Sequence, residues 1–112
     1  MKVNQNDIFK FHLDMNDNKN KMLIFSSSYN PISMVIKDYT DELYGIYNEF
    51  IEFRHYELER DEEFFKNAKI TIVPTILFIK KKELIDYTTG IVTKKELEEK
   101  IKTFLNIISI NQ

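Results

Sequence analysis

At 112 residues the chain has room for one domain with a single core, and a hydrophobic content of 43%, including nine Phe and six Tyr, is enough to fill it. Sixteen basic and eighteen acidic residues leave a net charge of −2, which gives no general attraction to nucleic acid or anionic membranes. The chain has no cysteine, so disulfide chemistry, thiolate catalysis and thiolate metal sites are excluded.

The opening residues Met1 to Asp7 are polar where a secretory leader needs an apolar stretch. No apolar run approaches the roughly 18 residues of a membrane-spanning helix. The expectation is one soluble cytoplasmic domain over residues 1–112, with no nucleic-acid or membrane partner. A short apolar start at Val3 precedes Ile8, Phe9, Phe11, Leu13 and Met15, spaced as in an irregular amphipathic helix. Residues 16–21 read as a polar loop. Met22-Leu23-Ile24-Phe25, ending in Ser26-Ser27-Ser28, is a continuous apolar run that suits a buried central strand. From Pro31, the positions Ile32, Val35, Ile36, Tyr39, Leu43, Ile46 and Tyr47 recur at helical spacing and predict a long amphipathic helix.

Residues 50–58 partly alternate and predict a strand. Asp61 to Ala68 reads as a short helix burying Phe64, Phe65 and Ala68. Thr75 to Ile79 is the next strand, Lys80-Lys81-Lys82 a charged turn, and Glu83 to Tyr87 an antiparallel return. Gly90 breaks the chain. Thr93 and Glu96 fit the capping box of a last helix that carries Leu97, Ile101, Phe104, Leu105 and Ile108 on one face. The order β-α-β-α-β-α-β-β-α favours parallel pairing early and a hairpin late.

Several of these segments resemble the thioredoxin superfamily, roughly from Val3 to Leu105. The run Met22 to Met34 is similar to that family's strand, active-site loop and helix start, and Tyr29-Asn30-Pro31-Ile32 stands in place of its Cys-x-x-Cys motif. Val73-Pro74-Thr75 matches the family's cis-proline step, Gly90 its later glycine, and Lys94 to Leu105 its final helix. Leu23 takes the place of a buried proton-handling Asp, and His55 lies near the position of a Lys that accompanies that Asp. The resemblance implies an α/β thioredoxin fold, a mixed central sheet flanked by helices on both faces. It also implies a groove formed by Tyr29, Asn30, Pro31, Ile32, Val73, Pro74, Thr75, Thr89 and Gly90, where an extended peptide is held through backbone bonds beside the cis-proline.

Disulfide exchange needs an attacking thiolate and a resolving thiol, and a phenol with a hydrocarbon supplies neither. The expected function is therefore a redox-inactive adaptor or scaffold that binds a protein or extended peptide, as a monomer or weak dimer. No catalytic residue, cofactor or metal ligand is expected. Tyr29 is read in two ways, as a contact for the partner or as a plug closing the groove. Alternatives are an assembly subunit binding through its helix faces or the apolar tail Ile107 to Ile110, and a non-thiol enzyme using Tyr29 or His55. The serines lack a nucleophile elbow, and His12 and His55 lack a metal-ligand spacing. Glu57, Glu59, Asp61, Glu62 and Glu63 form an acidic cluster that suits the start of the following helix.

Overall fold

The run Met22 to Phe25 has no polar position to turn towards water, so a strand built from it must be covered on both faces. The computed structural model, which describes residues 19–81 and 83–105, places it in β1 (Lys21–Ser26), where every residue is buried. The other elements are α1 (Pro31–Tyr47), β2 (Glu52–Glu57), α2 (Glu62–Asn67), β3 (Thr75–Lys80), β4 (Glu83–Thr89) and α3 (Lys94–Phe104). The strands form one sheet in the order β2-β1-β3-β4. β2 runs parallel to β1, as the intervening helix allows, while β3 is antiparallel to both β1 and β4. The expected strand at Val3, the helix over Ile8 to Met15, His12, Lys82 and the tail Ile107 to Ile110 lie outside the described residues.

Alternation along β1 and β3 divides the core in two. Met22, Ile24, Ile76 and Phe78 point to one face, where Ile36, Leu43 and Tyr47 of α1 and Leu97, Ile101 and Phe104 of α3 cover them. Leu23, Phe25, Leu77 and Ile79 point to the other, where Phe65 of α2 covers them together with Ala68 and Ile70 beyond its end. Helices thus occupy both faces of a mixed α/β sheet, as anticipated. Phe25 is the hub of the second face, stacked on Tyr56 at 5.1 Å and edge-on to Phe64 and Phe65 at 5.9 and 5.1 Å.

The start and end of α1 follow local rules, but its buried face differs from the expected one. The stripe against the sheet is Ser33, Ile36, Thr40, Leu43 and Tyr47, at steps of three and four. Ile32, Val35 and Ile46 were expected inside, and instead they are 39%, 42% and 56% exposed on one flank. At about 100° per residue they lie to the side of the buried stripe, and two hydroxyl residues take core positions. Both hydroxyls are satisfied: Ser33 Oγ accepts from Ser27 N at 3.2 Å, and Thr40 Oγ1 donates to Lys37 O at 2.9 Å. α3 is fastened to α1 by Tyr47 Oη donating to Glu98 Oε2 at 2.8 Å and by Lys94 Nζ paired with Glu42 at 2.5 Å.

Candidate functional site

The end of β1 and the start of α1 are joined by four residues, Ser27 to Asn30, and nearly every polar group in this loop is committed. Asn30 caps α1, its Oδ1 accepting from Ser33 N at 3.0 Å, and Pro31 takes the first helical position, where no N–H is required. Asn30 N donates to Ser27 O at 3.1 Å, closing a turn. Glu59, in the β2–α2 connection, reaches across to the same loop. Its Oε2 accepts from Ser27 Oγ at 2.6 Å, and its Oε1 accepts from Ser28 N and Ser28 Oγ, both at 3.0 Å. Ser27 Oγ accepts in turn from Tyr29 N at 3.2 Å. These donors, Ser27 Oγ foremost, hold the Glu59 carboxyl below the usual carboxylate range.

Two further segments close on the loop. The Val73–Pro74 peptide bond is cis, and Val73 O receives Asn30 Nδ2 at 3.5 Å, a long contact. Thr75 Oγ1 donates to Ile72 O at 2.6 Å. Gly90 N donates to Pro74 O at 2.8 Å, and Gly90 does so at φ 72°, a left-handed conformation that glycine adopts without strain. Hydrogen bonds therefore bring Asn30, Val73, Pro74 and Gly90 together.

The residues singled out in the sequence occupy different depths here. Pro74 and Thr75 are buried, so they shape the site from beneath. Asn30, Val73, Thr89 and Gly90 are half-buried, and Pro31 and Ile32 are exposed. Tyr29 is 85% exposed, which corrects the reading of its ring as a plug. Sequence reasoning missed Ile72, half-exposed beside Val73, and Ile91, 73% exposed beside Gly90. Both adjoin a residue that was named, and their apolar character next to a predicted loop was the available signal. It also missed Glu59, read only as part of an acidic cluster.

His55 and Tyr29 do not form a pair. His55 sits in β2 opposite Ile24, on the face that α1 covers, and burial keeps its imidazole pKa below the ordinary value. Its charged surroundings are Asp41 and Lys37 of α1 together with Glu57 and Arg60. Among the described residues, no group of three His, Asp or Glu side chains gathers as a metal site.

No protein-family model matches the sequence, and no curated protein matches it. Solved structures do. A malarial protein shares 22% identity at a TM-score of 0.72, over 79% of this chain and 99% of its own. Thioredoxin-2, described as a component of malaria parasite protein secretion machinery, shares 21% identity at 0.72, over 78% of this chain and 84% of its own. Fasciola hepatica thioredoxin shares 22% identity at 0.70, over 80% of this chain and 84% of its own. The chain has the thioredoxin fold and no thiol with which to run dithiol exchange.

Proposed function

We propose that this protein is a redox-inactive binding module, which engages an extended segment of a partner protein across Tyr29, Val73–Pro74 and Gly90–Ile91. The observation that carries the reading is Tyr29 itself, an aromatic 85% exposed on a loop whose backbone is held on both sides. A large apolar side chain in water, on a backbone already ordered, costs little further entropy when a partner covers it. Ile72 and Ile91 extend the apolar surface, and the long contact at Val73 O leaves an acceptor that a strand-like partner can take over from Asn30. Burial contributes about 25 cal/mol per Å² before ordering costs, so a short peptide would bind at about micromolar affinity.

The experiment is selection from a random-peptide display library on the wild-type protein, with the site mapped by amide chemical-shift changes. Shifts centred on Tyr29, Ile72, Val73 and Ile91, with binding weakened by Tyr29→Ala and Ile91→Asp, support the reading. Shifts confined to another face remove it. A second reading, contact through a helix face, is favoured by the exposed flank Ile32, Val35 and Ile46 of α1. Val35→Asp and Ile46→Asp separate the two, since both residues lie within α1 and outside the Tyr29 loop.

A further inference from the structure

We infer that Glu59 is the positioning residue of this surface, a carboxylate that fixes the backbone bearing Tyr29 from the neighbouring loop by way of Ser27. The inference rests on the binding reading above and adds the part that sets the geometry of the surface. Three donors from two consecutive residues converge on the two oxygens of Glu59, all at 2.6–3.0 Å. An ionised carboxylate is suited to this, because it only accepts and offers about four lone-pair sites. Ser27 carries the effect onward. Its single hydroxyl proton goes to Glu59 Oε2, which leaves a lone pair turned to the amide of Tyr29. The backbone that carries the exposed ring is thereby tied to a side chain some thirty residues away (31 positions from Ser28).

Ser27 is buried and its amide donates to Ser33 Oγ of α1, which anchors the base of the loop. Ser28 and Glu59 are both exposed, so their bonds organise the loop rather than the hydrophobic interior. A carboxylate spent on the loop that bears Tyr29 is what a surface requiring one fixed backbone site for its aromatic anchor needs.

Amide hydrogen exchange and affinity for the display-selected peptide together test the inference. Glu59→Ala is expected to raise exchange at the Ser28 and Tyr29 amides about fivefold to tenfold, leave Leu77 in β3 unchanged, and weaken peptide binding by a similar factor. Ser27→Ala is the second variant: it removes the relay hydroxyl and one of the three donors to Glu59 while leaving both Ser28 bonds, so exchange should rise more at Tyr29 than at Ser28. Glu59→Gln, which keeps the shape and one acceptor oxygen, should recover part of the protection. Unchanged exchange at Ser28 and Tyr29 in folded Glu59→Ala overturns the inference. Faster exchange with unaltered peptide affinity also overturns it, while leaving the binding reading to stand on Tyr29→Ala. Peptide binding that survives Tyr29→Ala removes the binding reading itself, whatever Glu59 does to the loop.

Discussion

At one end of the sheet Tyr29 stands in water on a loop with hydrogen bonds to either side, and at the other Tyr44 and Phe50 are exposed as well. The second end carries an open depression of about 580 Å³ lined by Tyr44, Phe50, Phe53 and Asn20, among others. Tyr44 already has a partner there, edge-on to Phe53 at 5.4 Å, and Lys19, the first described residue, lies on the rim. Cavity size points to this second end, whereas exposure points to Tyr29, at 85% against 52% for Tyr44 and 59% for Phe50. The Tyr29 end differs in that Glu59, from another segment, is bonded into its loop, whereas the bond the Phe50 amide makes is local, to Tyr47 O at 2.9 Å. A recognition surface needs this pre-arrangement, and an incidental patch does not.

The sharpest way to break the contrast is to remove what supports the Tyr29 end. Phe25→Ala empties the centre of an aromatic cluster directly beneath it and should cost about 3–5 kcal/mol in chemical denaturation. Tyr29→Ala should shift stability by no more than about 0.5 kcal/mol yet weaken peptide binding by about 2 kcal/mol. Phe50→Ala, at the other end, should leave that binding unchanged. Asn30→Ala removes the cap of α1 and should cost about 1 kcal/mol, whereas Asn48→Ala, exposed at the far end of the same helix, should cost less in a thermal melt.

The smallest effect expected is that of pH. Burial depresses the folded pKa of His55 below its ordinary value of 6.5, so the unfolded chain binds more protons in the window between the two. Stability should be fully present above pH 6.5 and fall as the pH drops through that window, and His55→Gln should flatten that part of the curve. Glu59 has its folded pKa lowered as well, so its contribution should persist to more acid pH and disappear below the usual carboxylate range. Denaturation midpoints measured from pH 7 to pH 3 would separate the two groups.

Much of the architecture was legible because local rules decide it. Pro31 marks the start of α1, Thr93 accepts from Glu96 N at 3.0 Å as a cap, and the Lys80–Glu83 hairpin falls at its charged turn. The buried stripe of α1 was not legible, because periodicity counts apolar residues. It cannot know that Ser33 and Thr40 will meet their hydrogen bonds locally and pack inside. The bracing of the site was hidden for another reason. Glu59 acts on Ser27 and Ser28 only after the parallel pairing of β1 and β2 brings two loop ends together, with Leu58 N bonded to Ser26 O at 2.9 Å. Short-range spacing carries no record of that meeting.

The bond between Tyr47 and Glu98 that holds α1 to α3 gives the molecule an optical reporter of its own integrity. Burial first, and the adjacent carboxylate second, push the Tyr47 phenol up to about 12. It stays protonated, and the two helices stay tied, across the whole neutral range. An alkaline titration followed by ultraviolet absorbance reads phenol ionisation directly. The Tyr47 signal should arrive late, as one step with the separation of the helices, so the same spectrum reads both charge and fold.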